Sequence, residues 1–206
     1  MKSVRWPGMF AALPDAITAG FFFAVWWAPQ ALGPNAVRTA MLIMLIEFVL
    51  VHAAGFIGRV AIERKLGLVD KLRLMLPLLL GYGLFVGAWA LMWREWWPFL
   101  AFAWLVVGKL QTGADPSLSQ KEQEQQVNAF WALSVVIYLL VAFVTIIVPM
   151  PRFGIIDTDY GLPGAGLWVE SPHIVVAFGA IYFSLLSMAR YAVSKPLSDR
   201  SPMARS

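Results

Sequence analysis

The sequence predicts an all-α polytopic membrane protein. Residues 1–206 form a single transmembrane domain of six spanning helices, with both termini cytoplasmic. Three observations lead there. First, 60% of the residues are hydrophobic and only 14% are charged, against about 25% charged in a soluble domain; mean hydropathy is +0.70. Second, the apolar residues gather into six runs near the roughly 20 residues that a helix needs to cross a bilayer. Third, Lys and Arg alternate between the two sides of those runs, as the positive-inside rule requires. Strands are a poor alternative. An open sheet edge leaves backbone groups unpaired in lipid, and no ten-residue alternating pattern suggests a barrel.

The first run, 9–32, follows Lys2 and Arg5, the order of a signal peptide. It ends in "FFFAVWWAPQ", with bulky residues where a small-residue cleavage site would sit, so it is read as a retained helix. The second run, 39–60, leads into "GRVAIERKLGLVDKLRL", 58–74, a basic amphipathic segment expected to lie at the anionic inner leaflet. The third, 74–93, carries Gly83 and Gly87 in a GxxxG spacing, a weak packing signal. The fourth, 97–112, is crowded at its end by Lys109 and Gln111, and its length is nearer that of a re-entrant segment. Residues 111–126, "QTGADPSLSQKEQEQQ", read as a solvated connector. The fifth run, 127–149, places Ser134, Tyr138 and Thr145 on one face. A long acidic segment rich in Gly and Pro, 150–171, leads to the sixth run, 172–193. There Ser171 suits an N-cap and Pro172 the first helical position. No internal repeat is visible, which leaves an inverted-repeat transporter without sequence support.

Six spans put thirteen Lys and Arg on the side of the termini. Arg38, Arg94 and Arg152 alone fall on the other side, so the termini are expected in the cytoplasm and the chain in the inner (plasma) membrane. In that count Lys109 and Arg190 are inner flanking charges. Trp26, Trp27, Trp93, Trp96, Trp97 and Trp168 fall at the outer ends, as an interfacial belt does.

Ionisable residues inside the apolar runs are the candidate functional groups. Glu47 lies about eight residues into the second run, roughly 12 Å below its outer boundary. Charge at that depth costs several kcal/mol, so Glu47 is expected to face the bundle interior. Ala40, Ala54, Gly58 and Ala61 share its face within about 40°, and such small residues let a neighbouring helix approach closely. His52 is turned about 140° from Glu47 and stands about 7.5 Å further along. That is not the spacing of three or four residues at which helical side chains meet. In "ESPH", 170–173, Glu170 and His173 flank the start of the sixth helix. Together with Asp157 and Asp159 they suggest an outer acidic cluster for a cation. Glu47, His52, Glu170 and His173 are therefore the ion- or proton-binding candidates. A haem shared by the two histidines is not expected, because His52 lies roughly 20 Å deeper than His173.

The chain has no cysteine, which excludes disulfides, thiolate metal sites and thiol nucleophiles. It has no Gly-rich phosphate loop, GxSxG or HExxH. No catalytic residue is assigned, and the metal and cofactor complement is left open. The expected partners are the lipid bilayer, further copies of the chain or a larger membrane complex, with no nucleic acid. The leading expectation is a transporter or channel for protons or small cations that uses an intramembrane carboxylate. The alternatives are a non-catalytic accessory or assembly subunit and, more remotely, a metal-dependent membrane-embedded enzyme.

Overall fold

Prolines, glycines and one capping box divide the chain into helices. The computed structural model of the chain describes residues 6–94, 96–110, 118–156, 160–162 and 164–193. Asp157 and Asp159 lie outside the described residues. The described residues form α1 (Trp6–Trp27), α2 (Ala36–Ile62), α3 (Leu68–Trp93), α4 (Trp97–Leu110), α5 (Gln120–Ile147), a single turn α6 (Leu167–Glu170) and α7 (Pro172–Val193). No strand occurs among them. Four helices are long and apolar enough to cross a membrane: α2, α3, α5 and α7. Two further apolar stretches are shorter, Ala11–Trp27 and Trp97–Leu110.

Several boundaries differ from the sequence reading, each for a local reason. The first helix ends at Trp27, because Pro29 opens a separate 3₁₀ turn, Pro29–Leu32. Within the expected connector 111–126, residues from Gln120 onward are helical. Ser119 caps α5 by accepting from the Glu122 N–H, and the Glu122 carboxylate accepts from the Ser119 N–H at 2.8 Å. This reciprocal capping box lets the polar run "QKEQEQQ" extend the helix beyond its apolar part. Likewise, α3 begins at Leu68 rather than near 74, so the basic segment 58–74 is two helix ends joined by a short turn.

Lipid tails are as apolar as leucine, so helices in a bilayer associate through close packing and polar contacts rather than through a hydrophobic driving force. The glycines show where that packing is tightest. A Cβ at Gly179 of α7 would stand 2.2 Å from the Phe22 ring of α1, and α1 and α7 make the most extensive helix contact. They run antiparallel, with Ser187 Oγ donating to the Ala12 carbonyl at 3.2 Å. α5 runs antiparallel to α2. Gly58 admits Val127, Gly55 admits Trp131, and Trp131 Nε1 donates to the Val51 carbonyl at 3.0 Å. Gly83 of the GxxxG pair meets nothing, whereas Gly87 meets Phe99 of α4, so this motif is not a continuous seam. α2 is the central helix, with 61% of its apolar window buried against 17% for α3.

Two contacts close the ends of the bundle. At one end, Trp26 Nε1 donates to the Pro151 carbonyl at 2.8 Å, and the Gly154 N–H donates to the Trp26 carbonyl at 3.0 Å. Phe153, at φ 45°, packs against both Trp26 and Trp27. At the other end, the Glu63 carboxylate accepts from the Lys65 N–H at 3.0 Å and from Gln120 Nε2 at 2.9 Å, tying the end of α2 to the start of α5. Those two hydrogen bonds hold the Glu63 carboxyl below the usual glutamate range. A carboxyl lowered on folding contributes stability above its unfolded titration range, and that contribution is lost as pH falls through the folded one. A stability difference between wild type and Glu63→Gln is therefore expected at neutral pH and should vanish in acid. Melting temperatures of the two proteins across a pH series check this.

Candidate functional site

At the centre of the bundle lies a carboxylate out of reach of both solvent and lipid. Glu47 is fully buried as the twelfth of the 27 residues of α2, close to the middle of the helix. Its partner is Lys109 of α4, also buried, whose ammonium donates to Oε1. Tyr182 of α7 donates its hydroxyl to the same oxygen at 2.6 Å. Three helices thus converge on one carboxylate oxygen. Oε2 accepts no hydrogen bond among the described residues.

Lys109 reaches Glu47 because α4 is short. Its 14 residues span about 21 Å, less than the roughly 30 Å hydrocarbon core. Lys109 is the thirteenth of them, so the C-terminal end of α4 meets α2 near the middle of α2. A cation in the last turn also complements the partial negative charge of a helix C-terminus.

α5 completes the surroundings. The Tyr138 ring packs edge-on against Tyr182 at 5.3 Å and against Phe178 at 4.8 Å, and its hydroxyl has no partner among the described residues. Ser134, one turn from Tyr138, and Phe130, two turns from it, line a cavity of about 10 Å³ together with Ala54, Lys109, Val127 and Trp131. That is room for about one water molecule. Ala54 belongs to the small-residue face of Glu47, which here borders the cavity and admits α5 at Gly58.

A second buried ion pair lies between α1 and α7. Arg190 Nε donates to Asp15 Oδ2 at 2.8 Å, and both side chains are buried. The Arg190 guanidinium also stands 4.4 Å above the Phe130 ring, a cation–π contact.

The other candidates from the sequence do not join this centre. His52 is exposed on the far side of α2, where its Nδ1–H donates to the Phe48 carbonyl at 2.6 Å and its ring meets Phe48 edge-on. Glu170 is exposed at the end of α6, and His173 is half-buried in the first turn of α7. The nine residues from His173 to Tyr182 amount to about 13 Å of helix. Among the described residues, no group of three His, Asp or Glu side chains is placed to hold a metal ion.

Lys109, Asp15 and Arg190 escaped the sequence reading as site residues. In the sequence Lys109 and Arg190 read as flanking charges alone; in the structure each has a buried carboxylate partner. Asp15 carried the same signal as Glu47, an acid within an apolar run. Comparison with protein-family models, with curated proteins and with solved structures gives no match.

Proposed function

We propose that the chain is a six-span protein of the inner membrane, with both termini in the cytoplasm, that moves protons through Glu47. The observation that carries this reading is the wholly buried Glu47–Lys109 pair at mid-helix, with one carboxylate oxygen still open. Intramembrane acids mark ion and proton pathways by default. Lys109 narrows the choice of ion. Its ammonium already occupies the carboxylate where a metal cation would sit, whereas a proton binds Glu47 and releases Lys109. The Tyr182 and Tyr138 hydroxyls, Ser134 and the small cavity supply polar groups on either side. The six-span arrangement rests on the antiparallel order of the helices and on the strongly one-sided Lys and Arg distribution. In that arrangement α4 enters from the outer side as a half-length helix, the kind of element that places ion sites near the bilayer midplane.

The test is proton uptake by proteoliposomes with a trapped pH-sensitive dye under an imposed membrane potential. Glu47→Gln combined with Lys109→Gln avoids stranding a buried ammonium and is expected to abolish uptake while the protein stays folded. Uptake by wild type no faster than by empty vesicles would rule the proposal out.

A second reading, an accessory subunit of a larger membrane complex, draws on α3. That helix is the least buried of the four long ones, and beside it an apolar groove of about 420 Å³ runs along Val49, Leu78, Tyr82 and Phe85. Co-purification of a fixed stoichiometric partner in mild detergent favours this role.

A further inference from the structure

The Glu47 centre leaves the Asp15–Arg190 pair unused. We infer that this pair is a second proton-exchange station, on the cytoplasmic side of Glu47, and that α5 joins the two. The inference rests on the proton-moving reading of Glu47 and extends it to a route.

α7 sets the spacing. It supplies Tyr182 to Glu47 and Arg190 to Asp15, eight residues apart, so the two carboxylates bind partners about 12 Å apart along one helix. Arg190 stands near the C-terminal end of α7, which the topology above assigns to the cytoplasmic side. α5 fills the interval with one side chain per turn. Phe130 lies under the Arg190 guanidinium, Ser134 borders the cavity beside Lys109, and Tyr138 packs on Tyr182. Phe130 lines that same cavity, so one ring separates the two cations. Next to the pairs themselves, a Cβ at Gly108 would stand 3.8 Å from Pro14, which brings the residues preceding Lys109 and Asp15 together.

Among the described residues, the buried charged and titratable side chains on the helices around Asp15 are Arg190 and Tyr182 of α7, Lys109 of α4, Glu47 of α2 and Tyr138 of α5; His173 and Tyr191 of α7 and Arg38, His52 and Arg59 of α2 are not buried. Two acids and two fixed cations leave the interval close to neutral, so one extra proton can be held at either acid. A proton from the cytoplasm converts the Asp15 carboxylate to the acid and loosens Arg190. Release of Arg190 frees the Phe130 ring beneath it to turn aside and open the cavity toward Asp15, and the proton passes by way of water there and the Ser134 hydroxyl to the Glu47 carboxylate. Asp15 is left ionised and paired again, and Glu47 becomes the acid and releases Lys109.

A purely structural pair makes a different prediction, because replacing both partners of a buried pair by neutral groups is often nearly neutral for stability. The experiment compares wild type, Asp15→Asn/Arg190→Gln and Asp15→Glu in the dye-loaded proteoliposomes. It also treats wild type with a hydrophobic carbodiimide, which modifies protonated carboxyls, and maps the adducts by mass spectrometry. Loss of a relay acid is expected to slow uptake by about tenfold or more in the double variant. Its melting temperature should be close to wild type, Asp15→Glu should retain most of the rate, and wild type should carry an adduct at Asp15. Wild-type uptake by a folded double variant overturns the inference and leaves the Glu47 reading standing. If the double variant does not fold, an adduct at Glu47 with none at Asp15 overturns it. A wild type that takes up no protons removes both, a result visible without any variant.

Discussion

Replacing Lys109 by methionine is expected to destabilise the protein by about 3–5 kcal/mol, the cost of removing one partner from a buried ion pair. Glu47 has no exposure, and Tyr182 is its remaining donor among the described residues. Without Lys109 the carboxylate either stays charged in a low-dielectric core or takes up a proton in order to remain there. Both routes weaken the folded state at neutral pH. Adding Glu47→Gln to Lys109→Met should recover most of the loss, because a neutral amide still accepts from Tyr182 and no charge is left buried. In the Lys109→Met background Glu47→Leu is harsher than Glu47→Gln, since it strands the Tyr182 hydroxyl at about 1–3 kcal/mol. Thermal unfolding in detergent across the four-member cycle measures the coupling. Contacting residues of this kind show interaction energies of about 0.5–3 kcal/mol. Independent, additive effects of the two substitutions would show that the pair does not hold α4 to α2.

The sequence carried the architecture better than the site, and the reason lies in the distance over which each signal acts. Apolar runs and their flanking charges are local, so α2 and α7 could be placed directly from them. Capping chemistry is local too, but it was overlooked where composition argued against it. Ser119 and Glu122 start α5 inside a stretch whose polarity suggested a loop. The face of Glu47 was legible from its small residues, because a buried carboxylate and close helix approach impose the same stripe. Its partner was not. Lys109 lies 62 residues away and ends a short apolar run, which is where an interfacial lysine also sits. The difference arises from the length of α4, whose 14 residues bring Lys109 beside the middle of α2. The partner of Arg190 is hidden for a similar reason, since a basic residue in the last turn of α7 suits both the helix dipole and the inner interface. Only the acid opposite it, Asp15, separates the two cases, and that pairing spans 175 residues. His52 is the converse case, since it lies apart from the Glu47 centre. A histidine in an apolar run suggested a site, yet its hydrogen bond to the carbonyl one turn back satisfies it within its own helix.

Gly179→Ala is expected to cost about 3 kcal/mol, the upper end of the usual range for overpacking. Helix propensity alone would favour the substitution by up to about 1 kcal/mol. Sterics decide the sign. The new methyl would stand 2.2–2.5 Å from three atoms of the Phe22 ring, inside any real carbon–carbon contact. The ring has no room to retreat, being fully buried and stacked on Phe183 at 5.6 Å. The alternative is for α1 and α7 to separate, which loosens the largest helix contact in the bundle and with it the Asp15–Arg190 pair. Gly83→Ala is the matched control, because it too lies within a long helix but its methyl would meet nothing within 4 Å. It should leave the melting temperature unchanged or raise it slightly. Combining Gly179→Ala with Phe22→Leu removes the aromatic edge and should restore part of the lost stability, although each substitution alone lowers it. Melting temperatures of these variants in one detergent separate steric exclusion at a helix crossing from a general intolerance of change in α7. If Gly179→Ala behaves like Gly83→Ala, α1 and α7 do not approach as closely as their packing requires.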